Sequence, residues 1–336
     1  MSSSKKTESG ATKSRARKTE ARPPFTLWGV EVPAGKQAVI ELPLPRLYTY
    51  GAMAMPVQVF HGRRPGPNIF VCAALHGDEL NGMEIIRRLV VQLKPRDMAG
   101  TVIAVPVVNV YGFLQQSRYL PDRRDLNRCF PGSQKGSLGS RLARTFLNEI
   151  VTPCQYGIDL HTAAMNRTNL PQLRIDCADV ETRALAEAFG APVIVDASTR
   201  DGSLREAAVA QGVRMLLYEA GEPLRFSTEA IDVGLQGCLR VLHTLGIQSG
   251  APEQDSAPPL LVTQTSWMRA RQSGILCLTV KLGQEVAKGQ ALGSISDTLG
   301  AHRAMVRAGA DGLIIGFANN PLVHRGDAIV HIGMLT

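Results

Sequence analysis

Between Ile69 and Gly246 the chain alternates short apolar runs with amphipathic stretches, and this alternation limits what it can fold into. Ile69-Phe70-Val71-Cys72-Ala73-Ala74-Leu75 carries no charged or polar side chain except a thiol, which suits a strand buried on both faces. From Glu79 to Leu93, the residues Leu80, Met83, Ile86, Leu89, Val90 and Leu93 fall on one helical face. Thr101–Val108 reads as a second buried strand. Further helices are expected over 138–150, 180–189, 204–211 and 228–245, and strands over 156–160, 173–177, 193–195 and 213–218. Strands that alternate with helices in this way predict an α/β sheet covered by helices on both sides.

The flanks differ in character. Residues 25–60 read as short strands and turns (Val30–Val32, Ala38–Leu42, Val57–Phe60), and Pro65-Gly66-Pro67 reads as a turn. Residues 249–259 (Ser-Gly-Ala-Pro-Glu-Gln-Asp-Ser-Ala-Pro-Pro) form a linker by composition. Beyond it, residues 260–336 show short β runs between glycine turns and no helical pattern, so a small all-β domain is expected there. The expected organisation is a tail over 1–24, a hydrolase-sized α/β domain over 25–248 that begins with the strands of 25–60, the linker, and the β domain.

The formal charge of +8 invites a nucleic-acid reading, but its location argues otherwise. Residues 1–24 hold seven basic and two acidic residues, so that segment contributes +5 and the rest of the chain only +3. A tail rich in Ser, Lys and Thr with almost no apolar residue cannot bury enough surface to fold, so a disordered, solvated arm is expected and no specific nucleic-acid partner. No apolar run approaches the ~20 residues that span a bilayer, and no apolar cluster precedes Phe25, so neither a membrane partner nor a secretory signal is expected. The six cysteines are scattered without a C-x-x-C pair, which suits free thiols in a cytoplasmic protein.

Four segments carry chemistry, each at the end of an expected strand. His76-Gly77-Asp78-Glu79 places an imidazole and a carboxylate three residues apart, and Ile158-Asp159-Leu160-His161-Thr162 adds a second imidazole. Two histidines and one carboxylate suit a zinc ion that keeps a position open for water, although other divalent ions accept the same donors. Asp159 is placed to orient a ligand from behind. The loop running from Asn109 through Arg118 to Asp125-Leu126-Asn127-Arg128-Cys129-Phe130-Pro131-Gly132 offers arginine forks and an amide, which grip carboxylates. Glu219, in Leu217-Tyr218-Glu219-Ala220-Gly221, ends an apolar strand, a position that suits a general base; Glu222 lies further into its loop.

These four motifs, in this order, resemble the succinylglutamate desuccinylase/aspartoacylase family of the zinc carboxypeptidase superfamily. The resemblance spans about residues 55–245 and implies a zinc-carboxypeptidase-like mixed sheet flanked by helices. It implies one zinc per chain on His76, Glu79 and His161. It also implies Glu219 as the catalytic glutamate and Arg118 as the residue that polarises the scissile carbonyl, with Asn127 and Arg128 holding a substrate carboxylate. The implied reaction is hydrolysis of the amide of a small N-acyl amino acid. The stretch Asp159–Ala164 with Arg167, Asn169, Pro171, Gln172 and Arg174 is most similar to the bacterial deacylase branch that includes N-acetyl-diaminobutyrate deacetylases. There Arg167 and Asn169 are expected to line the acyl or side-chain end of the pocket.

The C-terminal pieces Ser273–Leu276, Lys281–Val286, Lys288–Gly293 and Ala310–Ile314 resemble a biotinyl/lipoyl-type barrel-sandwich module. Residues 296–305, where a carrier would present its lysine, contain none, so a non-carrier module that shapes the mouth of the site is expected. His302 and His324 are expected at the surface, and His331 receives no role. Two rival functions use the same residues: a zinc carboxypeptidase acting on a peptide terminus, and a non-catalytic binding protein. A small closed pocket favours the deacylase, an open groove the peptidase, and a protein without metal the binding role. Homo-oligomerisation is left open.

Overall fold

The computed structural model describes residues 22–46, 48–253 and 257–335. The tail expected over 1–24 therefore falls largely outside the described residues, as does part of the linker expected over 249–259.

A short hairpin, β1 (Phe25–Leu27) and β2 (Val30–Val32), leads into the antiparallel pair β3 (Lys36–Leu44) and β4 (Met53–His61). Then follow β5 (Arg64–Ala73), α1 (Asn81–Val90), β6 (Ala99–Val105), α2 (Val110–Leu114), α3 (Leu138–Phe146), β7 (Tyr156–His161), β8 (Arg167–Ile175), α4 (Val180–Phe189), β9 (Val193–Asp196), α5 (Leu204–Val209), β10 (Arg214–Gly221) and α6 (Thr228–Thr244). β6, β5, β7 and β10 are parallel neighbours, and the wholly apolar stretch expected at 69–75 lies at the centre of this group. Ile69 to Leu75 are fully buried because both faces are covered. One face packs on α1, α4 and α6 through Ile85, Leu89, Phe189, Ile231 and Leu235. The other packs on α3, α5 and the first strands through Phe146, Ala207, Leu42 and Val57. The mixed, helix-covered α/β sheet expected from the sequence is present.

Local signals explain the element ends. The Asp179 side chain accepts from the Glu181 N–H at the start of α4, and Gly190 ends that helix in the left-handed region at φ 74°. Pro65-Gly66-Pro67, read from sequence as a turn, lies inside β5, where a register shift between Arg64 and Asn68 accommodates it at the strand's irregular start.

The sheet does not stop at the linker. After it come β11 (Leu260–Arg269), β12 (Gly274–Leu278), β13 (Glu285–Val286), β14 (Ala291–Ser296), β15 (Ala304–Arg307), β16 (Gly312–Ala318), β17 (Leu322–Val323) and β18 (Ala328–Leu335). β11 pairs in parallel with β9, and β16 pairs antiparallel with β8. With β11–β18 and β18–β16 also paired, β8, β9, β11, β18 and β16 close into a ring. Leu170, Val193, Val195, Val262, Leu313 and Ile315 form a core cluster of these ring strands. A separate four-stranded sheet, β15-β14-β12-β17, shares a second core with β16 and β18 through Leu276, Leu292, Ile295, Ile314 and Ile332.

Candidate metal centre and cleft

The chain leaves β5 through Ala74, whose φ of 49° is the left-handed region, uncommon for a residue with a Cβ. Backbone N–H groups of Val108 and Asn109 donate to the carbonyls of Ala73 and Ala74 at 3.0 and 2.9 Å and hold this bend. His76 follows two residues later. A Cβ on Gly77 would lie 1.9 Å from the carbonyl carbon of Gly112, so only glycine lets the His76–Glu79 segment pack on α2.

Glu79 lies between the two histidines. Its Oε1 is 2.6 Å from His76 Nδ1 and its Oε2 is 2.8 Å from His161 Nδ1. The backbone N–H of Thr162 donates to the same Oε2 at 3.0 Å. All three side chains are buried, and one donor atom from each lies within 4.8 Å of the others. Behind each imidazole stands a carboxylate: Asp159 Oδ2 is 2.9 Å from His161 Nε2, and Asp125 Oδ1 is 3.2 Å from His76 Nε2. Such pairs fix the proton on Nε2 and turn the Nδ1 lone pairs toward a common point. The donor set and its surroundings therefore fit a divalent ion. Asp159 was singled out from sequence; Asp125 was noted only as part of a loop.

Electrostatics follow from this packing. Burial opposes charge on Glu79, but the adjacent imidazoles overcome it and hold the carboxylate well below its usual range. Burial would likewise lower His161, yet Asp159 and Glu79 outweigh it and raise it well above an ordinary histidine; His76 is raised for the same reason by Glu79 and Asp125. Arg118 donates from Nη2 to Asp125 Oδ2 at 2.8 Å and from Nη1 to Glu79 Oε1 at 3.3 Å, which places its guanidinium at the edge of the cluster.

Glu219 reaches the same site by strand register. In the parallel pairing of β10 with β7, Glu219 is the partner of His161, so the two side chains leave the same face of the sheet. Asn169 on β8 donates from Nδ2 to Glu219 Oε2 at 2.6 Å, and Arg174 Nε lies 3.5 Å from Oε1. Asn127 accepts at Oδ1 from the Leu204 N–H at 2.9 Å, which leaves its NH2 group for the cleft; Arg128 lies beside it.

These residues line one cavity of about 530 Å³. Its walls include His76, Glu79, Arg118, Asn127, Arg128, His161, Arg167, Asn169 and Glu219, so every site residue singled out from sequence faces the same space. The far wall comes from β11 and β18, with Thr263, Thr265, Trp267 and His331. Arg200 and Arg205 also line it. None of these six was singled out from sequence. His302 and His324 are exposed, as expected.

The catalytic domain described as succinylglutamate desuccinylase/aspartoacylase matches residues 65–245. The N-alpha-acetyl-L-2,4-diaminobutyric acid deacetylase of Halomonas elongata is 29% identical over 296 residues, 84% of this chain and 86% of that protein. The succinylglutamate desuccinylase/aspartoacylase structure from Rhodobacter sphaeroides aligns with a TM-score of 0.81 at 27% identity, covering 89% of this chain and 95% of that one. The product-bound ectoine utilization protein EutE (DoeB) of Ruegeria pomeroyi shares the fold, with a TM-score of 0.82 at 24% identity over 93% of this chain and 99% of that one. With the matched domain spanning more than half of its length, the chain belongs to the succinylglutamate desuccinylase/aspartoacylase family.

Proposed function

We propose that this protein is a zinc-dependent deacylase that hydrolyses the amide bond of a small N-acyl amino acid. The observation that carries this reading is the register pairing of Glu219 with His161, which sets a carboxylate beside the His76–Glu79–His161 donor set at the base of an arginine-lined cavity. Family membership supports the reaction type.

In this reading His76, Glu79 and His161 hold one zinc ion per chain. When bound, zinc polarises the substrate carbonyl and makes a water molecule acidic. Glu219 takes a proton from the attacking water and delivers it to the leaving amine. Asn169 fixes the carboxylate of Glu219 for that transfer. Arg118 faces the reacting carbonyl and stabilises the negative charge that grows on its oxygen. The amide of Asn127 and the fork of Arg128 hold the carboxylate of the amino-acid part, and Arg167 lines the opposite end. The products are a small carboxylate and a free amine.

A zinc carboxypeptidase would need the cleft to admit a peptide. The β11 and β18 wall, with Trp267 and His331, favours a small substrate instead. We read the C-terminal β strands as a barrel-sandwich module that shapes this mouth; the support is the two sheets that share one core. No helix among the described residues is long and apolar enough to cross a membrane, and a cytoplasmic setting suits the six free thiols.

The test is metal content of purified protein beside amine release from N-acetyl, N-succinyl and N-formyl amino acids. About one zinc per chain with chelator-sensitive release is expected. Zinc with release only from peptides would move the assignment to a carboxypeptidase, and a protein that takes up no metal would move it to a binding role.

A further inference from the structure

Asn81 opens α1 and is 1% exposed, yet its side chain serves another part of the chain. An asparagine at a helix start usually acts from the cap position, where its oxygen satisfies a free N–H of the first turn. Here Leu80 holds that position and makes no side-chain cap bond. The Asn81 amide reaches across to the segment that joins β10 to α6. Its Nδ2 donates to the Ala220 carbonyl at 3.2 Å, and its Oδ1 accepts from the Ser227 N–H at 3.0 Å.

The segments joined in this way carry the two halves of the proposed chemistry. Asn81 lies two residues past Glu79, and Ala220 directly follows Glu219. Further bonds run between the same parts. The Leu224 N–H donates to the Asp78 carbonyl at 2.8 Å, and the Ala163 N–H, two residues past His161, donates to the Gly221 carbonyl at 3.2 Å. Gly221 has a φ of 74°, and a Cβ on it would stand 2.6 Å from Asn81 Nδ2, so the chain passes that amide only as glycine.

Sheet register explains why a side chain is useful at Ala220. Glu219 pairs with Gln172 and Gly221 pairs with Asn169, so Leu170 and Pro171 on β8 together face Ala220. Such a bulge disrupts the ladder locally and re-aims the side chains around it. Pro171 has no N–H to offer in any case. The strand that carries Glu219 is therefore least supported right beside Glu219, and the Asn81 amide supplies a donor there.

We propose that Asn81 is a positioning residue for the reaction: it ties the backbone behind Glu219 to the turn that carries Glu79, and so sets the gap between the base and the metal donors. This rests on the deacylase reading and extends it to a residue that does not line the cavity.

Two variants divide the tie. N81D keeps the acceptor for Ser227 and loses the donor to Ala220, while N81L loses both at similar size. In each, kcat is expected to fall by about 10–100-fold, the scale of a misplacement of about 1 Å. KM should stay within about twofold, and metal content should match the parent. G221A presses on the same amide from the other side. Combined with N81D it should add little to the larger single loss, whereas independent sites would multiply. A parent-like kcat in both Asn81 variants, a loss that appears in KM instead, or a loss that saturating metal restores would each overturn the role.

Hydrogen exchange reads the same tie without turnover. In N81L, peptides covering residues 216–227 should exchange about tenfold or more faster than in the parent, while those covering 65–75 keep pace with it. Faster exchange there in a protein that hydrolyses no N-acyl amino acid keeps the tie and removes the deacylase reading. Hydrolysis with parent-like kcat and parent-like exchange does the reverse.

Discussion

Asp159 Oδ2 stands 2.9 Å from Nε2 of His161, and this contact decides which nitrogen of the imidazole looks toward Glu79. The carboxylate is itself buried and also accepts from the Cys72 thiol at 3.4 Å. D159N keeps the shape but weakens the acceptor. Metal affinity should fall by about 10–100-fold, measured by competition with a chromogenic chelator, while the fold persists by circular dichroism.

Glu219 is outside the donor set, so its loss should separate chemistry from metal binding. E219Q should retain metal at the level of the parent protein and lose about two to four powers of ten in kcat. Turnover near the parent level would remove Glu219 as the base.

Gly77 packs where no side chain fits. G77A forces a Cβ to within 1.9 Å of the Gly112 backbone, so the His76–Glu79 segment must move. Metal stoichiometry should fall together with Tm, and added metal should restore little of either. A stable, fully metallated G77A protein would show that the segment has room to shift.

Metal-free protein should respond to pH in a definite sense. His161 and His76 are raised above their unfolded value by neighbouring carboxylates, so their contribution to stability is complete below about pH 6.5 and is lost as pH climbs through the raised values. Glu79 is depressed, so its contribution is present above the unfolded carboxylate value and is lost only in strong acid. After chelation, Tm should therefore decline from near-neutral pH upward. The metal-loaded protein should not show that decline, because metal binding displaces the protons and strengthens as pH rises. Parallel Tm profiles with and without chelator would count against the coupling of these groups.

Arg128 tests the clamp on the amino-acid carboxylate. R128A should raise KM by about 10–100-fold, with a smaller effect on kcat, because charge-assisted contacts of this kind act before as well as during the reaction.

The near side of the cleft was legible because its residues sit in short motifs at the ends of apolar runs. His76 and Glu79 share one turn, His161 ends β7, and Glu219 lies near the end of β10. Periodicity alone places each of them at the end of a strand or just beyond it. The far side was not legible in the same way. Trp267 and His331 reach the cleft only because β11 pairs with β9 and β16 pairs with β8, contacts between stretches far apart in sequence. Nothing local in either segment points to a partner so distant. Asp125 was missed as a companion of His76 for a related reason: 49 residues separate them, and the loop that carries Asp125 has no periodic pattern.

The ring of β8, β9, β11, β18 and β16 has a consequence for how the chain becomes competent. Two of its members come early in the sequence and three come after the linker, so it can shut only once β18 has been made. Until then β11 and β16, which pair with β9 and β8, present bare hydrogen-bonding edges to the gap that β18 fills beside the cleft, the kind of edge that invites a neighbouring chain. A nascent or truncated protein lacking β18 would thus carry every proposed donor of the metal centre and still be both open to solvent and adhesive. Competence and solubility would arrive together, at the last strand.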